Sequence, residues 1–333
     1  MSKKYISFIG TGAWASALAN LLAQNGHSVK MYGINNEEIN EINQGYNRKF
    51  FGSRSFANKD LIQASNDLSF VLKDCQTLVI AIPSVAIRSA LKQISALLKK
   101  RKVNIINVSK GFDDQTGDFL SDLIKTKLKR NIKYFATFAG PSYATEVFNE
   151  HLTLINVFAS DQEFEHELIS KFNNNYFKLV PCQDEYAGEI FAALKNVLAI
   201  GIGISAFTHL GKNPHSALIS VGTKEILSVI KQIKPNSNPN IGFELVGIGD
   251  IFLTCSSTQS RNFTFGYAVA ENGLKEALKM QRVTVEGFSS AKALSKIIQA
   301  NNIKNIPLLE SIIAVLNGSK EPILLTDFLI NEY

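Results

Sequence analysis

A chain of 333 residues, 45% hydrophobic and 19% charged, is too long for one small module and too apolar for wholesale disorder, so two cored domains are expected. Cys75, Cys182 and Cys255 lie far apart, are odd in number and form no CxxC pair, which excludes a disulfide scaffold and a cysteine-based zinc site and fits a reducing compartment. The net charge of +6 comes from cations that are dispersed rather than striped, so nucleic acid ranks below a small anionic substrate.

The N-terminus mimics a signal peptide, with Lys3 and Lys4 ahead of apolar residues and an Ala-x-Ala pattern at Ala15 and Ala17. Gly10, Thr11 and Gly12 break its would-be apolar core. No uninterrupted run of about 18 apolar residues occurs, so no membrane span is expected and the chain reads as cytoplasmic. Strands are predicted over 5–9, 28–32, 77–82, 103–108, 134–138 and 152–158, with helical periods over 14–24, 85–98 and 117–128 between them. Gly26 is a natural helix stop. The basic clusters at 99–102 and 125–130 each close an apolar helical pattern, where cations complement the helix dipole. Such alternation argues for a parallel sheet covered on both faces. Beyond Gln183 the texture turns helical, over 184–208, 214–233, 287–299 and 307–316, with a turn-rich break at 234–240. The fold class expected is an α/β Rossmann-type parallel-sheet domain over 1–182, for dinucleotide binding, followed by an all-helical domain over 183–333, for substrate binding and catalysis.

Gly10, Gly12 and Ala15 follow the first strand and open the first helix. The first Gly permits the tight turn, the second admits a pyrophosphate to the backbone, and Ala in the third slot still allows close helix–sheet packing. Ala13 and Trp14 complete that turn, whose N–H groups and helix dipole suit phosphates. After the second strand, Ile34, Asn35 and Asn36 stand where NAD enzymes often place an acid and NADP enzymes an Arg. Either Asn could bond a ribose hydroxyl, and no cation in that turn would neutralise a phosphate, which leans towards NAD(H) over NADP(H).

Four further segments place polar groups where packing alone would not. Lys110 follows a buried strand, at the sheet edge where ligands bind in open parallel sheets; a solvated loop lysine is the bland alternative. Gly140, Ser142 and Ala144 lie in a turn after another strand and can offer backbone N–H groups. Lys195 and Asn196 sit inside an otherwise apolar helix. Burying an ammonium costs several kcal/mol unless it is partnered, and desolvation moves its pKa towards a useful acid–base range. A lysine snorkelling along a helix edge is the competing reading. Asp250, with Thr254 downstream, could be a helix cap, and Ser260, Arg261 and Asn262 a solvated loop. Arg with adjacent donors at a helix start is also a good phosphate clamp.

Seven ordered motifs now stand together: the turn from Gly10 to Ala15; Ser109, Lys110 and Gly111; Gly140 to Ala144; Ala193 to Val197; Gly249 and Asp250 with Thr254 and Cys255; Ser260, Arg261 and Asn262; and Val285, Glu286 and Gly287. On these the chain resembles, end to end, the bacterial-type NAD(P)-dependent glycerol-3-phosphate dehydrogenases. The resemblance implies that Lys195 is the general acid–base and that Lys110 contacts substrate and cofactor; in the mechanism expected, Asp250 orients or charge-balances Lys195 and Lys110 stabilises the oxyanion, which makes all three catalytic. It implies substrate contacts at Gly140, Ser142, Asp250, Ser260, Arg261 and Asn262, beside which Thr254 is also expected, and cofactor contacts at Ala13, Trp14, Lys110, Ala144, Arg261 and Glu286, which join Gly10, Gly12 and Ala15 of the turn. The cofactor is then NAD(H) or NADP(H), the partner a small phosphorylated substrate, and no metal is called for. A homodimer is expected from the apolar helical domain.

The chain departs from the family pattern at Ser205, Ala206 and Phe207, where an acid and Gly are usual, at Val221 in place of Arg, and at Leu152 in place of Pro. Ile34 and Asn35 stand where the family's His or Arg supports NADP. Two other readings share parts of this pattern: a β-hydroxyacid dehydrogenase with a helix lysine, and a non-catalytic NAD(H)-sensing protein. A sensor needs neither Lys195 nor Asp250.

Overall fold

The computed structural model describes residues 4–113, 115–209, 211–281 and 285–331. The chain divides into two compact units: among the described residues the first holds 4–113 and 118–183, and the second holds 115–117 and the chain from Asp184 onward.

The first unit is built on eight strands: β1 (Tyr5–Ile9), β2 (Val29–Tyr32), β3 (Ile62–Ser65), β4 (Cys75–Ile80), β5 (Val103–Asn107), β6 (Ile132–Ala139), β7 (Thr153–Ala159) and β8 (Phe177–Pro181). Their order in the sheet is β3-β2-β1-β4-β5-β6-β7-β8. Successive strands step outward on one side of β1, then the order reverses between β1 and β4. That reversal is the switch point at which doubly wound sheets open a crevice for a nucleotide.

The six expected strands are present with their ends moved by at most two residues, whereas β3 and β8 escaped the sequence pattern. The four residues of β3 (IQAS) are half polar, and β8 (FKLVP) carries a lysine and ends in proline, so neither shows an apolar run. The sheet is also not wholly parallel: β7 runs antiparallel to β6. Between Ala139 and Thr153 the chain forms only the five-residue helix Ala144–Phe148. So short an element does not make the covering crossover that a parallel return requires.

Both sheet faces are covered. On one, the Ala13–Gln24 helix packs Leu18, Leu21 and Leu22 against Phe8 and Met31, with Phe148, Phe164 and Phe172 completing the layer. On the other, Leu91 and Ile94 of the Ser84–Leu98 helix and Ile124 of Leu120–Lys127 cover Leu78, Ile80 and Ile105. Gly26 ends the first helix with φ +83. Lys99 caps the second helix, and Lys125 and Lys127 occupy the last turn of the third.

The second unit is helical and is organised around Glu185–Thr208, buried from Ala187 through Ser205. That helix is long and apolar enough to cross a membrane by length and composition, with mean hydropathy 1.9, although no uninterrupted apolar run announces it. It is instead the core of its unit, since 89% of its most apolar window is buried among Lys212–Ile233, Arg261–Asn272, Glu286–Asn301 and Pro307–Leu316. Contact with Arg261–Asn272 is backbone to backbone. A Cβ on Gly203 would lie 2.0 Å from the Phe263 carbonyl oxygen, and one on Gly266 would lie 2.0 Å from that of Ile200.

The departures from the family pattern fall in ordinary places. Ser205 and Phe207 belong to the last turns of the Glu185–Thr208 helix, Phe207 meeting Tyr267 edge to face. Val221 is buried in Lys212–Ile233, and Leu152 is exposed just ahead of β7. All three cysteines are free and buried, and burial pushes the Cys75 thiol up to about 11.

Candidate active site

In the first unit the turn after β1 is tight and leads directly into an uncapped helix start. Gly10 has φ +123, and a Cβ there would stand 2.4 Å from the Ala81 carbonyl oxygen, so only glycine brings β1 and the end of β4 this close. Gly12 precedes the Ala13–Gln24 helix, no side chain caps the helix, and a Cβ on Gly12 would meet nothing within 4 Å. Ala13, Trp14 and Ala15 thus form the first turn of a helix whose N-terminal backbone has open space before it. The dipole and leading N–H groups of such a turn fit a pyrophosphate.

Two residues that no sequence pattern flagged hold this turn. Asn47 is fully buried and donates from Nδ2 to the Thr11 carbonyl and to Ser16 Oγ, both at 3.0 Å. The Thr11 hydroxyl donates to Glu38 Oε2 at 2.9 Å, and Lys49 Nζ lies 2.6 Å from Glu38 Oε1. After β2, Asn35 Oδ1 accepts from the N–H groups of Glu37 and Glu38, and Asn36 Oδ1 accepts from Asn66 Nδ2. The Oδ1 atoms of both asparagines are therefore engaged in capping and pairing, and Lys49 is paired with Glu38.

The strand-end lysine has company. Lys110 follows β5, and its Nζ lies 3.5 Å from the Gly140 carbonyl, which also accepts from Ser142 Oγ at 3.1 Å. Gly140 has φ +152 and packs so closely that a Cβ would fall 2.9 Å from Ile155 Cα. Ala144 opens the short helix that follows. The structure thus brings Lys110, Gly140 and Ser142 together at the C-terminal ends of β5 and β6.

In the second unit Lys195 and Asp250 form a buried ion pair, their side chains 5% and 1% exposed. Lys195 also donates to Thr254 Oγ1 at 2.8 Å, and that hydroxyl donates to Asp250 Oδ1 at 3.4 Å. Lys195 projects from the middle of the long core helix; Asp250 and Thr254 stand one turn apart on Asp250–Cys255. Asp250 is therefore the buried counter-ion of Lys195, one residue past Gly249 at the start of its helix. The opposite charges and the bridging hydroxyl hold the amine in one place. Burial pushes the neighbouring Cys255 thiol up, although the Lys195 charge pulls the other way, so it remains a thiol.

A second polar network links three helices. Asn262 Nδ2 donates to Asn196 Oδ1 at 3.0 Å, and the Gly287 N–H donates to Asn262 Oδ1 at 2.9 Å. Asn196 Nδ2 reaches Glu286 Oε2 at 3.5 Å. Ser260 is the N-cap of Arg261–Asn272, accepting from the Phe263 N–H, and Arg261 is its first residue and exposed. The Asn262 amide thus braces its own helix against Asn196 and Gly287. Among the described residues no group of three His, Cys, Asp or Glu is placed to hold a metal ion.

The switch-point crevice and the buried lysine–carboxylate pair define a class, the NAD(P)-dependent dehydrogenases with a Rossmann-like first unit and a helical second one. Two family models match: one described as NAD-dependent glycerol-3-phosphate dehydrogenase N-terminus, over residues 5–165, and one described as its C-terminus, over residues 184–327. A glycerol-3-phosphate dehydrogenase (NAD(P)+) of Malacoplasma penetrans is 40% identical over 325 residues, 97% of this chain and 95% of that one. Its counterpart in Mesoplasma florum is 35% identical over 331 residues, 94% of this chain and 98% of that one. The crystal structure of glycerol-3-phosphate dehydrogenase from Coxiella burnetii superposes with a TM-score of 0.90 at 27% identity, covering 99% of both chains. The chain belongs to the NAD-dependent glycerol-3-phosphate dehydrogenase family.

Proposed function

We propose that this protein catalyses the reversible reduction of dihydroxyacetone phosphate to sn-glycerol 3-phosphate with NAD(P)H. The observation that carries the reading is the buried Lys195–Asp250–Thr254 arrangement, within a chain that matches the family at both its N- and C-terminal portions. Bound nicotinamide supplies the hydride at the carbonyl carbon; every other part falls to the chain's own side chains. Lys195, held as ammonium by Asp250, gives a proton to the developing alkoxide and takes it back in the oxidation direction. Thr254 accepts one Lys195 N–H and fixes its direction. Lys110, aligned by the Gly140 carbonyl, offers positive charge to the substrate and cofactor, with Ser142 beside it. The Arg261 guanidinium and the first-turn N–H groups of its helix, behind the Ser260 cap, hold the phosphate.

For the cofactor, Gly10, Gly12, Ala13, Trp14 and Ala15 receive the pyrophosphate, and Ala144, Arg261 and Glu286 are assigned further contacts. The first unit is accordingly the dinucleotide-binding one and the second the catalytic one. The product is the backbone of glycerophospholipids, so the cellular role assigned is supply for phospholipid synthesis in the cytoplasm, consistent with three free cysteines. A homodimer is the assembly we assign, supported by Phe243 and Phe252 standing 82% and 63% exposed on the second unit. Light scattering in solution tests it.

The experiment that tests the activity is NADH oxidation with dihydroxyacetone phosphate set against a panel of 2- and 3-oxo acids. Turnover confined to the phosphate is the expected result; turnover on an oxo acid alone would transfer the chain to the hydroxyacid reading, and none on any substrate to the sensing one.

A further inference from the structure

We propose that the Glu38–Lys49 pair beside the nucleotide turn sets the choice of cofactor, favouring NAD(H) and rejecting the 2′-phosphate of NADP(H). The inference rests on the reading of the first unit as a dinucleotide site. Gly33, the residue after β2, lies against Thr11 of the turn: a Cβ there would stand 2.6 Å from Thr11 Cγ2. The end of β2 and the turn therefore share a wall, and in folds of this kind that wall borders the adenine ribose.

Glu38 is fixed at that wall. Its Oε2 accepts from the buried Thr11 hydroxyl at 2.9 Å, its Oε1 lies 2.6 Å from Lys49 Nζ, and its side chain is only 13% exposed. Asn35 and Asn36 have their carbonyl oxygens engaged elsewhere, in capping Glu37 and Glu38 and in pairing with Asn66. A carboxylate offers about four acceptor sites, so beyond its contacts to Thr11 and Lys49 it keeps capacity for a ribose hydroxyl, and a phosphate dianion at the same place meets like charge. The two cations of the short helix Arg48–Phe51 are already matched. Lys49 is held by Glu38, and Arg48 is held by Glu41, Nη1 to Oε1 at 3.1 Å. None of this shows in a local motif, because Glu38 is 27 residues from Thr11 and 11 from Lys49.

The test is direct binding of NADH and NADPH to the full chain by nicotinamide fluorescence, in the wild type, Glu38→Gln and the double variant Glu38→Gln with Lys49→Ala. Gln keeps an acceptor for the Thr11 hydroxyl while removing the charge and releasing Lys49. The wild type is expected to bind NADH at least ~10-fold more tightly than NADPH, and Glu38→Gln to narrow that ratio about 10-fold. Adding Lys49→Ala should widen it again, a reversal that a merely structural role for Glu38 would not produce. A wild type that prefers NADPH, a ratio unmoved by Glu38→Gln, or an equal loss of both cofactors in that variant would overturn the inference. A wild type that binds neither cofactor would remove the dinucleotide reading itself.

Discussion

Lys195 and Asp250 lie 55 residues apart in sequence yet form one buried ion pair in the second unit, with Thr254 hydrogen-bonded to both. Two charges leave water here, so the pair matters less as a source of stability than as a means of holding the amine. Removing one partner strands the other, and breaking a buried pair costs ~3–5 kcal/mol. Asp250→Ala should therefore melt well below Asp250→Asn, which keeps the shape and an acceptor. Both should lose turnover. Thermal melts of the two variants check the pairing, and equal melting temperatures would speak against it.

The Asn262 amide bridges Asn196 and the Gly287 N–H. Asn262→Ala leaves a carbonyl and an N–H unsatisfied in a buried setting, at a cost of roughly 1–3 kcal/mol. Asn262→Asp should be worse, because its second oxygen faces the Asn196 oxygen instead of donating to it. Since Arg261 is the adjacent residue, both variants should raise KM for the phosphate substrate more than they lower kcat. Steady-state kinetics paired with melting curves gives the order.

Glu225 serves as a distant cap. Its two carboxylate oxygens accept from the N–H groups of Leu308 and Leu309, at 2.8 Å each, at the start of the Pro307–Leu316 helix. Burial pushes its carboxyl up to about 7 in spite of those two donors, from an ordinary 4.5. The folded state therefore holds a proton that the unfolded state has lost between those values. Stability from this group is present below pH 4.5 and declines as pH rises towards 7. Melting temperature across that window should fall in the wild type and fall less in Glu225→Gln.

Gly10→Ala places a methyl 2.4 Å from the Ala81 carbonyl oxygen and demands φ +123 of an L-residue. The strain alone is ~1–3 kcal/mol, and the turn must move to relieve the clash. NADH affinity should fall at least ~10-fold while the ultraviolet circular dichroism of the helical unit persists. A fluorescence titration with NADH reads the first effect.

What the sequence disclosed depended on how local each signal was. The turn from Gly10 to Ala15 is one contiguous motif, and Lys195 stands out because an ammonium in an apolar helix needs an explanation. Asp250 and Thr254 are visible as a segment, and Asp250 is expected to orient Lys195, but nothing in the spacing announces the Thr254 hydroxyl as a partner of the amine. Asn47, Glu38 and Lys49 gave no signal. Each acts on the nucleotide turn through contacts 11 to 36 residues away, made only once helices and strands have packed. The same reason hid β3 and β8: short, partly polar strands at sheet edges owe their state to pairing with a neighbour. The reversal of β7 followed from a missing crossover helix, which a strand's own residues do not encode.

The central claim is that Lys195 moves the proton in reduction of dihydroxyacetone phosphate. The most direct measurement is the initial rate of NADH oxidation with that substrate in the wild type and in Lys195→Ala, with NADH affinity measured on the same samples. The account predicts wild-type turnover, a rate lower by about 10²–10⁴ in the variant, and NADH binding largely retained. Near-full turnover in Lys195→Ala would contradict it.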